Sequence, residues 1–405
     1  MLWWHHRGLL QRYLRDLLAA EWSALRPGQP ALAAEFWTDA MRIDLDLGAD
    51  SLELMRLATS LSCAIHLHES GMEDHLLARR SFGQWVDTAG EGLARFSGAL
   101  TFSTSGSTGA AKPCRHGLDM LQQEVVTLAR LFGGRRRILV AVPAHHIYGF
   151  LFTVLLPTAL AMAQDDVVDI RASSPVALVN LVRPGDLVIG FPDYWRSVGQ
   201  AGVQLPLDVW GVTSTAACPD QVCLALETAG LARLFQIYGS SETAGIGWRD
   251  AYHKPYQLMP FWASVGVDSS FLIRRLPQGG QINVQSPDQL QWVTDTLFHV
   301  GPRKDFAVQV GGINVFPAQV AARLREHPHV ADAAVRLMRA DEGQRLKAFI
   351  VAADAVRDTQ QLTDELNAWM NVHLTPPQRP RALRFGAGLP TTPEGKSADW
   401  SIGQD

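Results

Sequence analysis

The sequence predicts an α/β protein, in which a mostly parallel, helix-covered sheet follows a helical segment and precedes a small α+β unit. From about residue 98 onward, short apolar runs alternate with helical stretches, which is the pattern of such a sheet. Residues 1–97 show helical periodicity instead. A charged turn leading to a glycine pair, Gly311 and Gly312, marks a second boundary. We therefore expect three parts, at 1–97, 98–303 and 304–405.

The first part begins with an amphipathic stretch. Apolar side chains recur on one helix face from Leu9 to Leu18, and a break follows at Pro27 and Gly28. The second part contains the residues of the expected sheet. Its strands are predicted at 138–142, 187–191, 209–213 and 234–238, with helices at 151–162 and 219–229 among them.

Composition excludes several classes of protein. The 405 residues are 47% hydrophobic and carry a net charge of −4, so no nucleic-acid partner is expected. No apolar run reaches the ~20 residues of a membrane span, and no secretory signal is evident, so we expect a cytoplasmic protein. The four cysteines form no C-x-x-C pair. His5–His6 and His66-x-His68 lack supporting ligands, so a metal site is not expected there.

A loop rich in glycine and hydroxyl side chains follows a short apolar run. Its two glycines allow a tight turn that aims backbone N–H groups at one point, and its last residue is a lysine. Two residues separate the glycines, whereas the Walker loop has four. The alternative is a flexible linker between domains. We predict a cradle for nucleotide phosphates formed by Thr104, Ser105, Gly106, Ser107, Thr108, Gly109 and Lys112.

Further motifs follow the loop in a fixed order. They are PAHHIYG at 143–149, YGSSET at 238–243, TD at 294–295, RKD at 303–305 running into GGINVFP at 311–317, and LPTTPEGK at 389–396. With the loop, this set resembles the adenylate-forming superfamily of acyl- and aryl-CoA synthetases, peptide-synthetase adenylation domains and luciferases. The resemblance covers about residues 98–405, and the GGxNxxP form is most similar to benzoate-type ligases. It implies a large adenylation core and a small mobile C-terminal domain.

The resemblance implies how ATP is bound. Joining a carboxylate to the α-phosphate brings like charges together, so the site must neutralise phosphate charge and hold the acid in line. Glu242 would hold Mg2+ through its carboxylate and so take part in catalysis. Tyr238 would lie beside the adenine, and Asp295 would accept the ribose hydroxyls. Further ATP contacts are implied for Gly239, Ser241 and Arg303.

The resemblance also implies residues that act on the acid and the thiol. His146 would flank the acid pocket, although the adjacent His145 could take that part, or either ring could simply pack. Lys396 would bridge the acid carboxylate and the α-phosphate. Rotation about Asp305 would then replace Lys396 by the strand of Gly311–Gly312, where a thiol arm passes close to the backbone.

The ribose motif departs from the family pattern. The usual form is Thr-Gly-Asp, followed by a hairpin and then by glycine and arginine. Here Thr294 directly precedes Asp295, and seven residues separate Asp295 from Arg303. We therefore expect the hairpin to be deleted. Pro302 also stands where the glycine would precede the arginine.

Residues 45–54 are similar to an acyl carrier protein. In carriers the serine of an Asp-Ser-Leu triplet begins a helix and bears phosphopantetheine, so Ser51 is the expected attachment site. Loading in cis would benefit from an effective thiol concentration of about a millimolar. Two alternatives are a carrier-like cap that is never modified and a shortened helical lobe of the phenylacetate–CoA ligase type. Arg56 follows Ser51 closely, where carriers usually present acidic residues.

We therefore predict an ATP- and Mg2+-dependent ligase for a small carboxylic acid. It would form an acyl-AMP and pass the acyl group to a pantetheine thiol, either of coenzyme A or of an acyl carrier protein. Aromatic residues within 190–195 and 241–248 favour an aromatic acid, and a long acyl chain is the alternative. Two rivals stay open: a ligase that stops at the acyl-AMP, and a scaffold protein whose ligase core has decayed.

Overall fold

The computed structural model describes residues 2–26, 29–30, 32–104, 112–266, 271–304, 306–339, 341–353, 358–390 and 398–402. The helices are α1 (Arg7–Leu25), α2 (Ser51–Ile65), α3 (Glu73–Ala78), α4 (Phe82–Arg95), α5 (Leu118–Leu131), α6 (Ile147–Phe150), α7 (Leu156–Ala159), α8 (Leu178–Leu181), α9 (Pro192–Gln200), α10 (Asp220–Thr228), α11 (Pro317–Leu324) and α12 (Thr359–His373). The strands are β1 (Ala99–Thr104), β2 (Lys112–Gly117), β3 (Arg137–Val140), β4 (Val167–Asp169), β5 (Asp186–Gly190), β6 (Trp210–Thr213), β7 (Arg233–Ser240), β8 (Ala244–Arg249), β9 (Tyr256–Leu258), β10 (Trp262–Ser264), β11 (Phe271–Arg275), β12 (Gln281–Gln285), β13 (Asp288–Trp292), β14 (Leu297–Arg303), β15 (Val308–Val310), β16 (Ile313–Val315), β17 (Val330–Leu337), β18 (Leu346–Ala352) and β19 (Ala382–Phe385).

Among the described residues, nine strands form the main sheet in the order β13-β14-β9-β8-β7-β6-β5-β3-β4. Neighbours from β4 to β7 pair in parallel, and β8, β9 and β14 extend the sheet in antiparallel fashion. Every residue of β5 is buried, because helices cover both faces of a parallel sheet and its strands are continuously apolar. The predicted helix-covered α/β fold is therefore confirmed.

Contacts divide the chain into two compact units. The first contains the residues up to Thr104 together with 112–286 and 290–300. The second contains 287–289 and the chain from Gly301 onward. The predicted helical segment, which contains α1 to α4, thus belongs to the same unit as the main sheet.

The helical segment shares its core with the sheet. Trp3, Tyr13 and Phe150 are each at most 2% exposed. Their ring centroids lie 5.0 to 5.8 Å apart in edge-to-face contacts. Because side chains from α1 and from the segment after β3 fill one core, residues 1–97 are built into the first unit.

Asp16 of α1 connects this segment to the loop that follows β3. Its carboxylate is 5% exposed and accepts a hydrogen bond from the backbone N of Ala144 at 2.7 Å. It also pairs with Arg15 at 3.0 Å and with Arg171 at 2.9 Å. Because the Asp16 carboxylate is buried, its charge is poorly solvated. It is therefore stable there only while these charge-assisted hydrogen bonds are made.

Replacing Asp16 by alanine is expected to destabilise the first unit by about 2–3 kcal/mol, because the buried Ala144 amide loses its acceptor and Arg15 and Arg171 each lose one of their two carboxylate partners. Urea denaturation followed by tryptophan fluorescence measures this loss. Asp39→Ala is the control, since Asp39 also bonds α1, through Arg7, but its side chain is 54% exposed. We expect less than about 1 kcal/mol for that variant. Equal losses would contradict the importance of burial at Asp16.

The second unit is a small α+β domain, as predicted. β17 pairs with β18 in antiparallel fashion and β19 pairs with β18 in parallel. Apolar residues of α11 and α12 fill the core of this unit. Lys347 of β18 is fully buried and pairs with Glu342 at 2.7 Å and with Asp399 at 3.0 Å. This cluster ties the segment after residue 397 to the sheet.

In the described parts of the chain, no helix combines the length and the apolar character needed to cross a membrane. Even the 19-residue α1 carries charged residues such as Arg12 and Asp16.

Candidate active site

The carboxyl ends of the parallel strands place predicted site residues at one edge of the sheet. β3 leads to His145 and His146, β5 ends at Gly190, β6 ends at Thr213 and β7 ends at Ser240. Ligands of open α/β sheets bind at this edge, because the loops that leave the strands meet there.

Lys112 and Glu242 face each other at this edge. Lys112 Nζ lies 3.9 Å from Glu242 Oε1, and the two side chains are 68% and 49% exposed, so both can contact a ligand from solvent. Thr104 pairs with Lys112 across β1 and β2, so the two ends of the predicted phosphate loop are held together. The predicted loop residues Ser105, Gly106, Ser107, Thr108 and Gly109 lie outside the described residues.

Hydrogen bonds fix the turn that carries Glu242. Ser240 N donates to Thr243 Oγ1 at 3.0 Å, and Thr243 N donates to Ser240 Oγ at 3.3 Å. His116 Nε2 donates to the carbonyl of Ser241 at 2.6 Å. Burial lowers the pKa of His116, so its ring is neutral and carries the proton on Nε2. The carboxylate of Glu242 is thus presented from a rigid turn.

Tyr238 and Gly239 lead into this turn. The hydroxyl groups of Tyr238 and Ser286 lie 2.9 Å apart, and the Tyr238 ring centroid lies 5.7 Å from that of Phe298. These contacts fix the ring orientation. A Cβ at Gly239 would lie 2.1 Å from the carbonyl O of Ala244, so only glycine fits this close approach.

The hairpin before Arg303 is present, although the sequence predicted its deletion. β13 and β14 are its two strands, and Asp295 lies in the turn that joins them. Lys304 N donates to Pro287 O at 3.1 Å, which closes the opposite end, where Asp288 and Arg303 lie. The expectation was wrong because it took Asp295 as the residue before the hairpin. Asp288 holds that place, with fourteen residues between it and Arg303.

Asp295 lines a different recess. This cavity of about 930 Å3 is bounded by α5, β8, β9, β10 and the hairpin turn. Its lining includes Trp248, Trp262, Arg130 and Arg275. Asp295 is exposed there. β14 is seven residues long, and a strand of that length spans roughly 23 Å. Asp295 is therefore remote from the end of the hairpin where Arg303 lies.

His145 and His146 lie in the loop after β3. Their ring centroids are 4.0 Å apart. Burial lowers the pKa of His145 to about 2, with a further contribution from His146, and its Nδ1 has no hydrogen-bond partner among the described residues. His146 is exposed at the surface, and removal of part of its ring from water lowers its pKa as well, against the opposing effect of Asp16. Both rings are therefore neutral at physiological pH and can line a pocket without adding charge.

Aromatic residues stand next to these histidines. Tyr148 donates from its hydroxyl to Gly190 O at 2.9 Å, which joins the histidine loop to the end of β5. The rings of Phe191 and Tyr194 follow, with centroids 6.3 Å apart. A Cβ at Gly190 would lie 2.8 Å from atoms of Tyr194 and Trp195. The ends of β3 and β5 thus present aromatic side chains beside neutral histidine rings.

The second unit contains the remaining predicted residues. Gly311 and Gly312 form the two-residue turn between β15 and β16, with φ of 59° and 79°. Positive φ at both positions is typical of a tight hairpin turn and by itself accounts for two glycines. Arg303 ends β14. Asp305 and Lys396 lie outside the described residues.

Ser51 is the first residue of α2 and is exposed. Asp50 caps the helix by accepting from the backbone N of Leu52 and of Glu53, and the Glu53 carboxylate accepts from Asp50 N. Arg26 holds Glu53 through two hydrogen bonds at 2.8 and 2.9 Å. The Asp-Ser-Leu triplet therefore has a structural use as a helix cap, which is independent of any modification.

Sequence analysis missed two buried carboxylates that hold the backbone of the site. Asp16 accepts from Ala144 N next to the histidine loop. Glu124 of α5 accepts from Gly245 N, just after the turn of Glu242. Each carboxylate lies on the apolar face of an amphipathic helix. Charged residues are rarely buried without a partner, so an acidic residue on an apolar face is the signal by which both could have been found.

Comparisons with known proteins give consistent results. A family model described as the AMP-binding enzyme C-terminal domain matches residues 319–396. The chain is 38% identical over 388 residues to a 4-coumarate–CoA ligase of Halorhodospira halophila, across 95% of this chain and 97% of the relative. It is 39% identical over 373 residues to a 4-coumarate–CoA ligase of Cereibacter sphaeroides, across 89% and 86%.

Solved structures support the fold. An amide bond synthetase from Marinactinospora thermotolerans matches with a TM-score of 0.62 at 17% identity, over 96% of this chain and 92% of that one. A double mutant of o-succinylbenzoate CoA synthetase from Bacillus subtilis matches with a TM-score of 0.60 at 17% identity, over 80% and 73%.

Proposed function

The chain belongs to the adenylate-forming superfamily and is an AMP-forming acid–thiol ligase, and from this premise we propose that it joins 4-hydroxycinnamic acid to coenzyme A. The observation that carries the proposal is the sheet edge itself. It has a charged side at Lys112 and Glu242 and an aromatic, uncharged side at His146 and Phe191. A phosphate chain suits the first side, and a flat ring suits the second. The relatives named 4-coumarate–CoA ligase, aligned along nearly the whole chain, support this choice of acid and thiol.

In the first step, a carboxylate oxygen of the acid attacks the α-phosphorus of ATP, and the bond to the β-phosphate oxygen breaks to release pyrophosphate. Lys112 neutralises charge on the phosphates, and we assign Lys396 to the carboxylate and the α-phosphate. Glu242 offers an exposed hard-oxygen ligand that suits Mg2+, which would neutralise further phosphate charge when bound. Because both histidines are neutral, they form no ion pair with the acid carboxylate that would hold it away from the phosphorus.

In the second step, the thiolate sulfur of coenzyme A attacks the acyl carbonyl, and AMP leaves with the electrons of the acyl–oxygen bond. We assign Asp305 as the hinge and the Gly311–Gly312 turn to the thiol channel, where absent side chains let the pantetheine arm pass near the backbone. We also propose that the protein acts in the cytoplasm, because its four free cysteines fit a reducing compartment.

The test is ATP–pyrophosphate exchange with a panel of acids, followed by addition of coenzyme A. We expect exchange with 4-hydroxycinnamate to exceed that with hexadecanoate by roughly 100-fold or more, because the aromatic rings at the ends of β3 and β5 suit a flat ring better than a long flexible chain. Coenzyme A should convert the adenylate to a thioester. An adenylate that persists with coenzyme A would favour the ligase that stops at acyl-AMP. A folded protein that exchanges with no acid would favour the decayed scaffold.

We further propose that Asp288 binds the ribose hydroxyls of ATP in place of Asp295. Asp288 and Arg303 lie at the same end of the hairpin, in the order acid, hairpin, arginine that the resemblance implies. Asp288 also follows Ser286 by two residues, and Ser286 holds the hydroxyl of Tyr238, the residue we assign to the adenine. A carboxylate accepts hydrogen bonds from both hydroxyls of a ribose.

The attachment of phosphopantetheine to Ser51 stays a prediction, as does loading of an acyl carrier protein. Intact-protein mass after co-expression with a phosphopantetheinyl transferase tests it. A mass gain that Ser51→Ala abolishes would establish a self-loading ligase. An unchanged mass would leave coenzyme A as the proposed acceptor and the capping of α2 as the use of the triplet.

A further inference from the structure

We propose that Glu124, a buried residue of α5 outside the ATP and acid contacts, is a positioning residue that fixes the Glu242 turn for binding of Mg·ATP. The inference rests on the proposed role of Glu242. It concerns the backbone that follows the Glu242 turn. It assigns a role in the reaction to a residue that we do not place in contact with any substrate.

The carboxylate of Glu124 holds one peptide group. The side chain is fully buried, and both of its oxygens lie 3.1 Å from the backbone N of Gly245. Trp262 donates from Nε1 to the carbonyl O of the same Gly245 at 2.8 Å. A Cβ at Gly245 would lie 2.3 Å from Glu124 Oε1, so glycine is required for this contact. Gly245 is therefore held at its N–H and its C=O by two buried side chains.

The held residue is directly linked to the turn. Gly245 pairs with Gly239 across β7 and β8, and these two residues flank the segment that contains Glu242. Thr243 Oγ1 donates to the carbonyl of Ala244 at 2.9 Å, and Ala244 adopts a φ of 58°. That left-handed conformation is unfavourable for alanine, so the surrounding contacts must hold it. Loss of the Glu124 bond would release the turn at its β8 side.

Packing alone does not explain a carboxylate here. A buried charge is costly unless it is well paired, and an apolar residue of similar size would fill α5 at less cost. The charge that acts on Glu124 is that of Arg274 of β11, which is 4% exposed, donates to Met120 O at 2.9 Å and stacks on Phe261 at 3.8 Å. A carboxyl group that is retained in a core and bonded to the backbone beside the site points to a role in holding the geometry of the turn.

The test compares Glu124→Leu and Glu124→Gln with the wild-type full chain in two assays. Pyrophosphate exchange titrated with Mg·ATP measures adenylation, and discharge of supplied acyl-AMP by coenzyme A measures the thiol step, which uses no Mg·ATP. We expect Glu124→Leu to raise KM for Mg·ATP by roughly 10-fold or more, because a buried N–H loses its acceptor. Glu124→Gln keeps one acceptor oxygen, so its KM for Mg·ATP should lie between those of the wild type and Glu124→Leu. The thiol step should stay within about twofold of wild type.

A purely structural role would slow both steps together, and that result would overturn the proposal, as would a wild-type KM in both variants. A double-mutant cycle with Glu242→Gln adds a second criterion. If Glu124 acts through Glu242, the effect of the Glu124 change should largely vanish in the Glu242 background. Full additivity would also overturn the proposal.

Burial raises the pKa of Glu124 to about 7, against the opposing effects of Arg274 and of the Gly245 bond. The ionised form is the stronger acceptor. The ratio of KM for Mg·ATP between Glu124→Gln and wild type should therefore be larger at pH 8 than at pH 6, and titration of ATP itself cancels in that ratio.

Failure of the proposed function is distinguishable from failure of this inference. If the wild type exchanges pyrophosphate with no acid, the ligase assignment fails, and calorimetric binding of Mg·ATP then decides the role of Glu124. If the wild type binds Mg·ATP and Glu124→Leu binds it roughly 10-fold more weakly, the inference is supported. Equal binding overturns it. If the leucine variant does not fold, the same comparison is made with Glu124→Gln.

Discussion

Asp288→Ala should raise KM for ATP by roughly 10- to 100-fold, because a charged acceptor for the ribose is worth about 1.5–3 kcal/mol. The acid should be used as well as before once ATP is saturating, since the side of the site that we assign to the acid is at the ends of β3 and β5. Pyrophosphate exchange at varied ATP, with the acid in excess, measures the effect.

The matched control is Asp295→Ala. Asp295 is an exposed carboxylate in the turn of the same hairpin, on the wall of a separate cavity. We expect less than about threefold change in KM for ATP, as for other exposed polar groups away from the substrate. If Asp295→Ala instead gave the larger effect, the assignment from the original sequence pattern would be restored and that from the hairpin geometry would fail.

Lys396→Ala should slow adenylation by about 100- to 1,000-fold, which is the usual cost of removing one group that stabilises developing charge in a transition state. Formation of the thioester from supplied acyl-AMP should stay within about threefold, because the bond whose formation we assign to Lys396 already exists in that substrate. Single-turnover assays of the two half-reactions separate these effects.

Lys254→Ala controls for the loss of a positive charge. Lys254 lies on the surface and pairs with Asp250 at 2.9 Å, so it should leave both half-reactions unchanged. A Lys396→Ala enzyme that lost both half-reactions equally would contradict a role confined to the first step. It would point instead to a general requirement for the charge.

The parts of the fold that the sequence predicted are those in which local pattern and burial agree. The run at 187–191 is apolar throughout because β5 is buried on both faces. The helix at 219–229 is amphipathic because α10 covers one face of the sheet. In such elements the type of each residue follows from whether that residue is buried or exposed. The element can therefore be predicted from the local sequence, without knowledge of contacts far along the chain.

The features that the sequence did not predict depend on partners far along the chain. Asp288 and Asp295 are both aspartates near a strand end, and only the pairing of β13 with β14 shows which stands before the hairpin. Glu124 bonds a residue 121 positions away. The use of Asp16 likewise depends on Ala144, which nothing in the pattern of α1 identifies.

The bonds of α1 also have a consequence for synthesis of the protein. Asp16 meets Ala144 across 128 positions, and Arg15 meets Asp169 across 154. At a translation rate of about 5–20 residues per second, the partners of α1 are synthesised roughly 6–30 s after α1 itself. During that interval the helix exposes the apolar face that later packs against the segment after β3. We therefore expect nascent chains of this protein to be chaperone clients until β4 has emerged, and α1 to join the core late in folding.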